Sequence, residues 1–277
     1  MTTTVITGTT NGIGLATARV LAKNQHRLLM LCRNLKAAEA VAREITKETS
    51  NSDIIPIFCD LSSLESVQNA ATIIRQEVDQ IDILINNAGI ISPDQQFSAD
   101  GFELTMAVNH LGPFLLTRSL ESLLYGGQVI NLASKAHLFC KASELLAETN
   151  FLSAKPYAAF KTYARSKLAN ILFSFFYAKQ PKINIASHCL HPGSIGTNIV
   201  PTHNMFSRGL NKIWKVIGPS PARGAKTTLH LALSKPGSRV SGLYWENAKP
   251  TKASKAANDE TLQQICWDHS NRMAGIV

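Results

Sequence analysis

Acidic residues are missing where basic ones are densest. From Thr149 to Trp245 there are 13 Lys/Arg and not one Asp or Glu, whereas residues 1–148 carry 11 Lys/Arg against 15 acids. The remainder balances at four against four, leaving a net charge of +9. Such a basic stretch fits an anionic partner (a phosphorylated cofactor, a membrane surface or nucleic acid), or serves solubility alone. Cysteine is scarce as well. The five, at positions 32, 59, 140, 189 and 266, include no C-x-x-C pair. That excludes a disulfide scaffold and reads as reduced packing thiols of a cytosolic protein. His110, His137, His188 and His191 are scattered singly, so no metal site is expected. No basic-then-apolar leader opens the sequence, so no secretory signal is expected. No run of 18 uncharged apolar residues occurs, which predicts a soluble chain without a membrane span. Low-complexity tracts, repeats and linkers are absent too, which predicts one domain over residues 1–277.

What is present is an alternation of short apolar runs and helical patterns. Runs at 3–7, 28–32, 54–59, 81–85, 128–132 and 183–189 predict strands. Helical periodicity separates them, beyond Gly14 and over 36–48, 64–79, 103–125 and 157–179. Unbroken apolar strands alternating with helices predict an α/β fold, a Rossmann-type doubly wound parallel sheet with helices on both faces. SGLYW at 241–245 adds a last strand, followed by a polar tail.

Between the first strand and its helix the chain reads TGTTNGIG (7–14), with Gly8, Gly12 and Gly14. Glycine allows a sharp turn and a close backbone approach to a pyrophosphate, and the helix N-terminus offers free N–H groups to the anion. Gly8, Thr10, Asn11, Gly12, Ile13 and Gly14 are therefore expected to bind a dinucleotide. About 20 positions further on, an NAD-type fold carries an acid for the ribose 2′-hydroxyl. Here that place holds Cys32-Arg33-Asn34, with no acid before Glu39. A guanidinium there suits a 2′-phosphate, so NADP(H) is preferred over NAD(H), with Arg33 and Asn34 as contacts. The alternative is that Arg33 is a solvated residue after a strand.

Tyr163-Ala-Arg-Ser-Lys167 lies in a helical stretch, which places Tyr163 and Lys167 one turn apart on one face. A phenol titrates near 10, and a neighbouring ammonium favours its ionised form. Bringing it near neutrality requires about 3 units, roughly 4 kcal/mol of differential stabilisation. The spacing alone would also fit an amphipathic helix surface.

Together these segments resemble the short-chain dehydrogenase/reductase family. The matches are TGTTNGIG (7–14), NNAG (86–89), Asn109 within MAVNHLGPF, Ser134 within VINLASKAH, YARSK (163–167) and HPGSIGT (191–197). They run from the first strand to residue 197 in the family's order. The wording around Asn109 and the Ala-His after Ser134 are most similar to the retinol dehydrogenase and WW-domain oxidoreductase branch. The resemblance implies Tyr163 as general acid and base, with Lys167 holding the ribose hydroxyls and lowering the tyrosine pKa. It implies Ser134 as a hydrogen-bond donor to the substrate oxygen, and Asn109 as a helix-kinking residue that holds a water beside Lys167. Asp60 and Leu61 would flank the adenine, and Asn86, Asn87, Ala88 and Gly89 would support the central strand and the ribose. Pro192 and Gly193 would turn the chain so that Ile195 and Thr197 fix the carboxamide. The family often has Ser-Ser where this chain has Ala133-Ser134, and the second serine is the one the chemistry needs. Ser62, Ser63 and Ser166 read as cap or helix-surface residues.

On the substrate side, 135–157 carries Leu138, Phe139, Leu145, Leu146, Phe151 and Leu152, which either wall a pocket or simply pack. Phe206, Leu210, Ile213, Trp214 and Ile217 repeat at helical spacing opposite Arg208, Lys212 and Lys215. That segment fits a substrate lid spanning 198–222, a lid that also makes peripheral membrane contact through 206–217, or ordinary packing. The expected activity is hydride transfer between NADP(H) and a hydrophobic carbonyl or alcohol, retinal-like or lipid-derived. The alternatives are a double-bond reductase of the protochlorophyllide type and a catalytically silent NADPH-binding sensor. No nucleic-acid module is present. A homodimer or homotetramer could form through the helices at 103–125 and 157–179, although burial within one subunit would leave the same pattern.

Overall fold

The structure, a computed structural model, describes residues 1–142, 157–180, 184–193, 220–234 and 241–276. In chain order it runs β1 (Thr3–Thr7), α1 (Gly12–Lys23), β2 (Arg27–Cys32), α2 (Leu35–Thr49), β3 (Ile54–Phe58), α3 (Leu64–Glu77) and β4 (Ile83–Asn86). Next comes one helical rod: α4 (Leu104–Met106), a π turn (Ala107–Leu111) and α5 (Gly112–Ser119). It is followed by β5 (Gln128–Leu132), a 3-10 turn (Lys135–Phe139), α6 (Ala159–Ala178) and β6 (Ala186–His191). The chain closes with α7 (Pro221–Leu233), β7 (Leu243–Glu246), β8 (Lys249–Thr251) and α8 (Glu260–Met273).

The eight strands form one sheet in the order β3-β2-β1-β4-β5-β6-β7-β8, parallel except for the last pair. The doubly wound reading therefore holds. Strands β4 and β5 are buried at every position, as continuous apolar runs between two helical layers require. Ile6, Leu28, Met30, Ile83 and Ile130 meet Leu21, Ile45 and Leu231 on one face, while Val5, Leu29, Leu84 and Val129 meet Ile74, Phe114 and Phe173 on the other. The strand order reverses direction between β1 and β4, which opens a crevice at their C-terminal ends, where doubly wound folds bind ligands.

Two expectations need correction. The sixth strand spans Ala186–His191 rather than 183–189, because His191 is buried in it and an apolar run stops short of that polar residue. The residues after β7 are not a polar tail. They form an antiparallel hairpin with β8 and then α8, whose Leu262, Cys266, Trp267 and Ser270 make a buried stripe at helical spacing. Trp267 packs with ring centroids 5.4 Å from Phe114 and 4.9 Å from Phe176, and the Arg118 guanidinium lies 4.7 Å over it. The apolar faces of α5 and α6, candidates for pairing between subunits, are thus covered by the chain's own last helix.

Candidate active site

The crevice at the switch point is a cleft of about 370 Å³. Its floor is the turn after β1. Gly8 and Gly12 adopt φ of +73° and +58°, the left-handed region that glycine enters without a Cβ penalty. At Gly14 a Cβ would stand 2.1 Å from the Gly8 carbonyl oxygen, so no other residue fits there. Asn87 straps this turn to β4. Its side-chain amide donates to the carbonyls of Thr7 (2.8 Å) and Gly8 (3.2 Å), while the Thr7 hydroxyl accepts from the backbone N–H groups of Asn87 and Ala88.

The N-terminus of α1 opens into the cleft. Side chains cap α2 (Asn34), α3 (Ser63), α7 (Ser220) and α8 (Asp259), but Asn11 makes no such bond at α1. Its first-turn N–H groups and positive dipole end therefore stay available to an anion. Arg33, also lining the cleft, is exposed, and its guanidinium forms neither an ion pair nor a hydrogen bond among the described residues. Uncapped amides, a free guanidinium and a glycine floor together suit a phosphorylated dinucleotide.

Thirteen of the expected cofactor positions line the cleft: Gly8, Thr10, Asn11, Gly12, Ile13, Gly14, Arg33, Asn34, Asp60, Leu61, Asn87, Ala88 and Gly89. Tyr163, Lys167 and Pro192 line it as well. Asn34 also spends its side-chain oxygen capping α2, accepting from Ala37 N–H at 3.0 Å. Gly193 follows Pro192 with φ +90° but does not face the cleft. Ile195 and Thr197 lie outside the described residues, as do 206–217 and the greater part of the expected lid. Leu31, Cys59, Ile90, Val108 and Leu132 line the cleft without having been expected there, as do Cys32 and Ala133, named from sequence only as neighbours of Arg33 and Ser134. They are apolar residues that look in sequence like any other core position.

Helix α6 brings Tyr163 and Lys167 to the other end of the cleft, both nearly fully buried. The Ser134 side chain, at the end of β5, faces the Tyr163 hydroxyl closely enough to favour its ionised form. The Lys167 ammonium sits 5.5 Å from the Tyr163 ring centroid and donates to the Leu132 carbonyl at 3.0 Å. Burial sets the titration of both groups. It pushes Tyr163 up, against a lowering by Ser134, and pulls Lys167 down to about 8, against a raising by Cys189. The chain's own groups thus leave the phenol raised, because desolvation outweighs the lowering by Ser134.

Asn109 sits in the π turn, Ala107–Leu111. Its side-chain amide is fully engaged. Oδ1 accepts from Ile90 N–H (2.8 Å), and Nδ2 donates to the Ile90 carbonyl (2.9 Å) and to Ser166 Oγ (3.0 Å). Ser166, read from sequence as a surface or cap residue, is instead fully buried and donates onward to the Tyr163 carbonyl at 2.8 Å. Its position between Asn109 of another helix and the Tyr163 carbonyl one turn back was hidden because a helical serine has no sequence mark of burial. Outside the cleft, Leu138, Phe139 and Phe160 stand exposed on the elements that carry Ser134 and Tyr163, with the two phenyl rings 5.6 Å apart.

This geometry agrees with what the chain is similar to. Residues 2–144 match the short chain dehydrogenase family, and the chain belongs to that family, in its retinol dehydrogenase branch. It is 36% identical to retinol dehydrogenase 12 of Bos taurus, an alignment covering 98% of this chain and 86% of that protein. It is 33% identical to human retinol dehydrogenase 11, covering 98% and 85%. Among solved structures, an uncharacterised protein of Mycobacterium paratuberculosis superposes with a TM-score of 0.78 at 27% identity, covering 99% of this chain and 94% of that one. A short chain dehydrogenase of Escherichia coli CFT073 complexed with NADPH gives 0.66 at 21% identity, covering 90% and 97%, a likeness of fold. The chain is therefore an oxidoreductase of a family that binds nicotinamide cofactors, and no described helix is long and apolar enough to cross a membrane.

Proposed function

We propose that this protein reduces the carbonyl group of a hydrophobic aldehyde or ketone with NADPH, or runs the reverse oxidation. The observation that carries this reading is the convergence of Ser134, Tyr163 and Lys167 at one end of a cleft whose other end presents Arg33 and the uncapped α1. When bound, the nicotinamide dinucleotide supplies or accepts the hydride and, in its oxidised form, a positive charge. Tyr163 donates its hydroxyl proton to the carbonyl oxygen as that oxygen takes on alkoxide character, and withdraws it in the reverse direction. Ser134 donates a hydrogen bond to the same oxygen. Lys167 holds the ribose hydroxyls, and its ammonium favours the phenolate left behind. Asn109 keeps Ile90 and, through Ser166, the backbone of Tyr163 in place. Arg33 pairs with the 2′-phosphate.

A hydrophobic substrate is supported by the exposed Leu138, Phe139 and Phe160 beside the catalytic elements, and by the relatives named as retinol dehydrogenases. The test is NADPH oxidation at 340 nm against a panel of long-chain or retinoid aldehydes and small polar ones, with NADH as the cofactor control. Turnover that favours NADPH and the apolar aldehydes supports the reading. Preference for NADH, or for the polar set, contradicts it.

A further inference from the structure

Beyond the reacting groups, His137 is buried without any exposure immediately behind Ser134, and both of its ring nitrogens are engaged. Nδ1 lies 2.7 Å from the Ser134 carbonyl oxygen, and Nε2 accepts from the backbone N–H of Ser254 at 3.2 Å. A carbonyl can only accept and a backbone N–H can only donate. The ring is therefore neutral, carries its proton on Nδ1, and cannot exchange its two sides. Protonation would set an N–H against the Ser254 N–H. The ring is also fixed edge-on to Tyr244, with centroids 5.1 Å apart. Lys135, Glu246 and His191 are the charged or titratable groups nearby, and Lys135 and Glu246 form an ion pair with each other.

We infer that His137 is a positioning residue that clamps Ser134 to the C-terminal segment. Ser134 leaves β5 in an extended conformation (φ −160°), and its side-chain oxygen accepts from Ala136 N–H at 3.2 Å beside the Tyr163 phenol. His137 holds the Ser134 carbonyl twice, through its backbone N–H (3.1 Å) and through ring Nδ1 (2.7 Å). Ser254 is anchored in turn, its Oγ accepting from Ala257 N–H (3.2 Å) and its carbonyl from Asn258 Nδ2 (2.9 Å). The hairpin and α8 thereby become part of the catalytic frame, although they contribute nothing to the lining of the cleft.

The inference rests on the carbonyl-reductase reading, and the test separates the two. In His137→Asn the amide nitrogen stands near the place of Nδ1 and keeps the donor to Ser134. In His137→Gln the longer amide reaches towards Ser254 and leaves the Ser134 carbonyl with the backbone N–H of residue 137 (3.1 Å) as its one donor from this turn. The expected result is a kcat within about threefold of wild type for the asparagine variant and at least about tenfold lower for the glutamine variant, at unchanged NADPH affinity and matched Tm. Equal losses in the two variants, or no loss in either, would overturn the positioning role. Nitrogen-15 NMR of the wild-type protein at pH 7 is the readout independent of activity. It should find the Nδ1–H tautomer at His137, and an Nε2–H tautomer or an imidazolium overturns the clamp. A wild type that turns over no carbonyl, or a Tyr163→Phe variant as active as wild type, overturns the functional reading and with it the positioning role. The NMR result then decides the hydrogen-bond geometry alone.

Discussion

The two ends of the cleft are built by different means. The end proposed for the nucleotide is made of backbone: a glycine turn, uncapped helix amides and the Asn87 strap, all within the first 89 residues, with the exposed Arg33 guanidinium beside them. The chemical end is made of side chains brought from β5, the π turn and α6, buried and cross-linked by hydrogen bonds, with titrations displaced by desolvation. A site for a constant ligand can be local and rigid, because phosphate recognition needs only donors in a fixed array. A site that moves a proton needs groups whose charge state is adjustable, which burial, neighbouring charges and hydrogen bonds supply together. If this division is right, the two ends should fail separately.

The largest effect falls at the chemical end. Tyr163→Phe should cut kcat by about 10³-fold, read from NADPH oxidation, because it removes the hydroxyl proposed to give the proton. Trp267→Ala should cost about 3–5 kcal/mol in urea unfolding, since it empties the contact between α8 and the α5–α6 face. The same variant, measured by sedimentation, should self-associate more readily than wild type, because it uncovers the face that α8 now occupies.

Acid should act on the chemical side of the sheet as well. Burial holds His110, His188 and His191 at about 4, against 6.5 for a free imidazole. Between those values the unfolded chain binds more protons than the folded one. Stability is therefore full above pH 6.5 and is lost as pH falls towards 4, by at least about 3 kcal/mol in sum. Urea titrations at pH 7 and pH 4.5 measure it, and equal midpoints would show that these rings are not held neutral.

A smaller and more selective effect belongs to the nucleotide end. Arg33→Ala should weaken NADPH by roughly 10–100-fold in KM while leaving NADH unchanged, the loss of a charge-assisted pair and no more. Smallest is Ser166→Ala, which strands one Asn109 amide proton in the interior and should cost about 1–3 kcal/mol in stability. Its kcat should fall with it while NADPH affinity holds.

The same division explains what could be read in the sequence. The glycine turn, the NNAG strap and the strands are local patterns, and a linear reading recovers them almost to the residue. Tyr163 and Lys167 were legible because helical spacing joins them. Ser166 was not, since only the approach of Asn109 from another helix shows its task. His137 was passed over because its two partners, Ser134 and Ser254, are separated by nearly half the chain. The apolar stripe of α8 was masked by the charged residues around Leu262, Cys266 and Trp267.

The most direct test is a paired measurement, NADPH binding by titration and kcat at saturating cofactor, on Arg33→Ala and Tyr163→Phe together. A cofactor end and a chemical end that work independently predict a crossed result. Arg33→Ala binds weakly but turns over near wild type once saturated, while Tyr163→Phe binds as wild type and does not turn over. If each variant loses both properties to the same degree, or if Tyr163→Phe still reduces the aldehyde, the division and the proton-donor role assigned to Tyr163 are wrong.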